Sequence, residues 1–195
     1  MSKYRPRPQD PAGEDDVVAL LTHQHGQIRN LFDEVEAATG ADRRDAFHRL
    51  VRMLAIHETA EEEVVHPFAR RAFGDASEVV AERLEEERQA KEQLKALEDM
   101  GPEDPAFLPA LLALREAVTR HARAEERYEF AALRRTADPQ RLARMATAVR
   151  AAEATAPTHP HPGVESGAKN LALGPLAAVV DRTRDALRKA NRSDG

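Results

Sequence analysis

The sequence predicts an all-α protein, an antiparallel up-down-up-down four-helix bundle with additional C-terminal helices. Three observations lead there. Apolar residues recur at three- and four-residue spacing through most of the chain. Ala, Leu, Arg and Glu dominate a composition that is 42% hydrophobic and 32% charged, the balance of a soluble helical protein. Strand formers never collect into alternating runs between turn signals. At 195 residues the chain suits one well-buried domain with appendages.

Residues 1–13, with three Pro and a Gly among polar groups, read as a disordered lead-in, and the bundle is expected over 14–137. Glu14, Asp15 and Asp16 place negative charge at a helix N-terminus. The stripe Val17, Val18, Leu21, Ile28, Leu31, Phe32, Val35 then defines a first helix ending near Gly40. Asp42 and Asp45 open a second, with Phe47, Leu50, Val51, Leu54, Val64, Val65 and Phe68, which closes at Gly74. Asp75 with Glu78 makes a capping pair for a third, with Val79, Val80, Leu84, Leu94 and Leu97, stopping at Gly101-Pro102. The fourth starts near Asp104-Pro105, or at Pro109, which cannot sit deep inside a helix, and presents Leu111, Leu114, Val118, Phe130 and Leu133. Four helices of about two dozen residues with short connections pack as antiparallel neighbours. Asp138-Pro139 opens a further helix over 138–155. Residues 156–174 form a Pro- and Gly-rich linker, and 175–192 a C-terminal amphipathic helix expected to dock on the bundle or on a second subunit.

A net charge of −5, with Arg and Glu interleaved, argues against a nucleic-acid partner. No apolar stretch approaches a bilayer span, and no apolar signal core follows the first basic residues. A cytoplasmic monomer or homodimer with no membrane partner is expected. The chain has no Cys, so disulfides, a thiolate nucleophile and Cys-ligated metals are excluded. Any metal must be held by imidazole and carboxylate.

At 100° per residue, each helix can be asked which polar groups fall inside its own apolar stripe, where burial costs free energy unless something binds them. The first helix has His25 in the seam Leu21, His25, Ile28, Phe32. The second has His57 and Glu61, four apart, between Leu54 and Val64. The fourth repeats that pair as His121 and Glu125 after Leu114 and Val118. The third has Glu87 between Leu84 and Leu94. Each His-x-x-x-Glu pair stacks its side chains roughly 6 Å apart on one face, and two such pairs on alternate helices can meet across the core. A lone seam histidine is usually a hydrogen-bonded core residue. Three histidines and three carboxylates at similar depth are better explained by cations, because buried unpaired carboxylates are rare. Imidazole and carboxylate are donors for iron or manganese, and a carboxylate can bridge two ions.

The remaining candidates are weighed on the same wheel. His23 and His48 fall about 200° and 180° from the seam, and His66 about 140° from Glu61, so all three should lie at the surface or helix flank. Glu63-Val-Val-His66 matches half of the Glu-x-x-His pattern of ferritin-like bundles but lies off the stripe and is set aside. His57-Glu58 fails as a zinc-protease motif because position 61 is Glu. Glu58, about 100° from His57, either swings inward as an extra ligand or stays exposed. Glu129, one turn beyond Glu125, suits an ion pair or an outer partner better than a ligand. His159 and His161, in a Pro-rich segment that cannot be helical, either fold over the site mouth or sit in an exposed linker, the latter favoured.

The segments HQHGQIRNLF, IHETAEEEVVHPF and HARAEERYEF resemble the hemerythrin HHE cation-binding family, over roughly residues 17–135. The resemblance implies a di-iron centre, with an oxo or hydroxo bridge, in which His25, His57, Glu61, His121 and Glu125 are ligands. Manganese or zinc are the other cations these donors accept. The third helix departs from the family, which usually places His where this chain has Glu87. Carried over as a carboxylate ligand, Glu87 makes the site richer in hard oxygen and favours ferric iron. Reversible oxygen carriage is then the least favoured activity. The expected function is reaction with peroxide in a catalase-like cycle, or sensing of O2 or NO. The alternatives are non-catalytic iron binding or storage, and a metal-free helical scaffold.

Overall fold

The computed structural model describes residues 15–73, 77–156 and 158–159. The lead-in, His161 and the C-terminal amphipathic segment lie outside them, as do Gly74 and Asp75. Among the described residues all regular structure is helical, with no strand. Helix α1 spans Val17–Ala37, and the Asp16 side chain accepts from the Ala19 amide at 2.9 Å, capping its first turn. Helix α2 spans Gly40–Ala60. A five-residue π-turn, Glu61–Val65, joins it without a break to α3, His66–Phe73. Helix α4 spans Ser77–Met100. It stops where Gly101 takes a φ of 81° and its amide bonds the Leu97 carbonyl at 2.9 Å, a left-handed cap open to glycine. Helix α5, Phe107–Glu125, runs through a second π-turn, Glu126–Phe130, into α6, Ala131–Thr136. Helix α7, Pro139–Thr155, has Asp138 as its cap and Pro at its first position.

The four long rods are α1, α2 with α3, α4, and α5 with α6. Between them lie two separate apolar clusters. One, at the α1 C-terminal end, gathers Phe32, Phe47, Leu50, Leu54, Leu94, Leu97, Phe107 and Leu111, with the Phe47 and Phe107 rings edge to face at 4.9 Å. The other, at the opposite end, gathers Leu20, Leu21, Val65, Phe68, Phe130 and Leu133 with Leu142, Met145, Ala146 and Val149 of α7. Helix α7 packs along α1, α2 and the first π-turn and closes that second cluster. The buried polar residues sit at the level between the two clusters.

Two expectations are corrected here. His66 is 2% exposed, not at the surface. His159 is also buried and bonds Glu98 Oε1 at 2.6 Å, so it belongs neither to an exposed linker nor to the site mouth. Leaving the end of α7, the chain runs to the α4 C-terminal half, and the imidazole meets a carboxylate there.

Candidate metal centre

All four rods deliver the polar layer. His25 comes from the middle of α1, His57 from the last turn of α2, Glu61 from the start of the first π-turn, Glu87 from α4, and His121 and Glu125 from the last turns of α5. Glu61 and Glu125 are fully buried, Glu87 is 1% exposed, and His25 and His57 are 3% and 4% exposed. His25 Nε2 lies 3.5 Å from Glu125 Oε2 and 3.9 Å from Glu61 Oε1. His57 Nε2 lies 3.4 Å from Glu61 Oε2. His121 Nε2 lies 3.6 Å from Glu87 Oε1 and 3.5 Å from Glu125 Oε1. These separations exceed a good hydrogen bond, and both oxygens of Glu61, both of Glu125, and the Nε2 atoms of His25 and His121 have no hydrogen-bond partner. Two donor sets result: His25, His57, Glu61 and Glu125, and Glu87, His121 and Glu125, each within 4.8 Å, with Glu125 in both.

The outer nitrogens of the three histidines are all tied. His25 Nδ1 bonds Glu126 Oε1 at 2.8 Å, His57 Nδ1 bonds Gln24 Oε1 at 2.8 Å, and His121 Nδ1 bonds Glu86 Oε2 at 3.0 Å. Since a carboxylate or amide oxygen can only accept, each Nδ1 is the protonated nitrogen and donates. Each Nε2 is thereby turned inward, the arrangement by which metal-bound imidazoles are oriented. Gln24 in turn donates to Glu153 Oε1 of α7 at 2.5 Å. The His25 ring stacks on Phe130 of the second π-turn at 5.6 Å.

Electrostatics follow from this crowding. Burial, then the neighbouring His25, pulls the His57 imidazole down to about 3. Burial and the adjacent Glu125 push the Glu61 carboxyl well above the usual range. Burial also works against Glu125, yet His121 beside it holds that carboxyl well below the usual range. His121 is raised well above an ordinary imidazole because, against burial, it faces Glu125. Carboxylates and imidazoles in this state compete for protons, and a cation is the group that satisfies the unpartnered oxygens and nitrogens together. The residues present therefore fit a metal.

Glu58 turns inward but joins neither donor set. It is 6% exposed, and burial, opposed by Lys91, pushes it up to about 8. Lys91 Nζ itself bonds Glu62 Oε1 at 2.5 Å. A cavity of about 60 Å³, lined by His25, Phe32, Leu54, Glu58, Glu61 and His121 among others, reaches the layer; it has room for a few waters or a small molecule.

Two further buried residues, His66 and Glu129, adjoin the sets. His66 lies between Glu87 Oε1 at 2.5 Å and Glu129 Oε2 at 3.2 Å. His66, Glu125 and Glu129 form a third group within 4.8 Å. The inward turn of His66 has a local cause. A π-turn bonds i to i+5 and so spends one more residue on the same turn. That takes back about 100° and leaves His66 roughly 40° from the Glu61 face, where a uniform α-helix would have put it about 140° away. Acidic Glu61-Glu62-Glu63 ahead of a His-Pro pair was the available signal.

Comparison with known proteins returns the description Hemerythrin HHE cation binding domain, matched over residues 16–133. An uncharacterised hemerythrin-like protein of Schizosaccharomyces pombe is 27% identical over 85% of this chain and 83% of its own. A DNA nickase of Nostoc is 28% identical over 69% of this chain but only 38% of its own length. A crystal structure of a hemerythrin HHE cation-binding domain-containing protein of Mycobacterium kansasii matches with a TM-score of 0.63 and 22% identity, covering 71% of this chain and 85% of that one. That last likeness speaks to the fold.

Proposed function

The chain belongs to the hemerythrin HHE cation-binding domain family, and from that premise we propose a cytoplasmic dinuclear non-haem iron protein that reacts with oxygen species, peroxide foremost, or senses O2 or NO. One observation carries this reading: the inward Nε2 atoms of His25 and His121 and all four oxygens of Glu61 and Glu125 are buried without partners at one level of the bundle. Two irons bound there would supply redox change and Lewis acidity. His25, His57 and Glu61 would hold one ion, Glu87 and His121 the other, and Glu125, common to both donor sets, could serve either. Glu126, Gln24 and Glu86 fix which imidazole nitrogen is free. A cavity of about 60 Å³ supports a small oxidant rather than a peptide or nucleotide as the entering molecule. Carboxylate at Glu87 in place of imidazole favours the ferric state and disfavours oxygen carriage.

Elemental analysis of purified protein, with an ultraviolet-visible spectrum before and after peroxide, tests the reading. Iron with peroxide consumption supports it. Neither iron nor manganese overturns it and leaves a helical scaffold. A second reading, non-catalytic iron binding reported through α7, is favoured by the chain of bonds from His57 through Gln24 to Glu153. Iron that leaves peroxide untouched would select it.

A further inference from the structure

His66 and Glu129 stand outside the two donor sets, yet both are buried, at 2% and 1% exposure. His66 differs from the three site histidines in how its ring is engaged. Those keep Nε2 inward and tie Nδ1 outside, whereas His66 has a carboxylate at each nitrogen, Glu87 on Nε2 and Glu129 on Nδ1. Both ring nitrogens are thus engaged by carboxylates, so a cation taking His66 with Glu125 and Glu129 would have to displace one of those bonds. Each carboxylate, however, keeps one oxygen, Glu87 Oε2 and Glu129 Oε1, buried and without a partner. Glu129 also lies within 4.8 Å of Glu125, the residue common to the donor sets. Neither His66 nor Glu129 lines the cavity that reaches the layer. Both residues depend on the π-turns, His66 following the first and Glu129 lying inside the second.

We propose that Glu129 is a further carboxylate ligand of the metal centre and that His66 is the positioning residue that turns Glu87 and Glu129 so that each presents one oxygen to a cation. The inference rests on the metal-centre reading above. Its chemical logic is an exchange between helices. Where α4 brings a carboxylate in place of an imidazole, the imidazole arrives from α3 instead, behind the ligands, and its two ring nitrogens anchor the added negative charge.

The test uses the full metal-free chain titrated with cobalt(II), read by its visible absorption and by bound metal per chain. Failure of the wild type to bind cobalt or iron overturns the metal-centre reading itself, before this inference is reached. Given binding, Glu129→Gln, which keeps an oxygen for His66 Nδ1, should weaken cobalt affinity about tenfold or more and shift the visible band. His66→Phe should do the same, and the double variant should be no weaker than the worse single one. Glu87→His in the His66→Phe background should restore affinity, because that side regains an imidazole ligand directly. Unchanged affinity and spectrum in Glu129→Gln overturn the proposal. A His66 effect limited to a lower melting temperature, with no change of band and no rescue, overturns its positioning role. Crystals of the cobalt-loaded wild type decide even if His66→Phe fails to fold: a Glu129 oxygen at about 2.2 Å from the ion supports the proposal, and one beyond bonding distance rejects it.

Discussion

At the scale of single residues, position along a helix separates histidines of the same type into different chemistry. His121 meets Glu87 and Glu125 with a free inward nitrogen, while His48 lies on the half-buried flank of α2. His121→Ala should lower iron content per chain at least about tenfold, and His48→Ala should leave it unchanged; equal losses would mean that the donor sets are wrongly assigned. Glu58 is a different test, because it is buried beside the candidate donor sets and belongs to neither. Its folded pKa of about 8 lies above its ordinary 4.5. The folded state therefore binds the proton more tightly, and stability is greatest below 4.5 and declines as pH rises towards about 8. The melting temperature of the metal-free protein should fall between pH 5 and 8 more steeply than that of Glu58→Gln, by about 2–4 °C for each kcal/mol in a chain of this size. Parallel curves would place the Glu58 carboxyl in water.

At the scale of elements, the π-turns are what set this bundle apart from four regular rods. A π-turn amounts to an α-turn with one residue added, so removing one residue from it should keep the flanking faces in phase. Deletion of Glu63 is expected to preserve helix content by circular dichroism and to preserve metal binding. Deletion of Arg52, inside regular α2, turns everything beyond it by about 100° and should abolish metal binding; a similar loss in both would show that the first π-turn is not an insertion. The same feature explains what could be read in the sequence. The apolar stripes and the caps Asp16, Asp138 and Gly101 were legible because each depends on neighbours within a turn. His25, His57, Glu61, Glu87, His121 and Glu125 were legible as seam positions because they precede the π-turns, open one as Glu61 does, or lie on helices without them. His66 was not, since wheel arithmetic assumes a constant period and the period changes immediately before it. Glu58 was ambiguous because a position about 100° from the seam is buried or exposed according to what the neighbouring helices bring against it. His159 was missed because a Pro-rich segment announces that it is not helical but says nothing of the Glu98 it will meet.

At the scale of the whole molecule, a cation held by the two donor sets would tie α1, α2, α4 and α5 together at one level. A ligand at about a thousandfold excess over its dissociation constant stabilises by about 4 kcal/mol, so loading should raise the melting temperature by about ten degrees, and chelation should reverse it. An unchanged melting temperature on loading would mean that the ion sits on the surface. The division of the core has a consequence for cooperativity. Two apolar clusters, one closed by α7 and one by the Phe47 and Phe107 pair, are separated by a layer that without metal contains unpartnered charge. The metal-free chain should then open in two stages. Amide hydrogen exchange would show one group of slow amides in α7 and the α1 N-terminal half and another around Phe32 and Leu94, with different free energies of opening. Metal should merge them into one. The ion would then set whether the two halves of the protein unfold as one unit or as two.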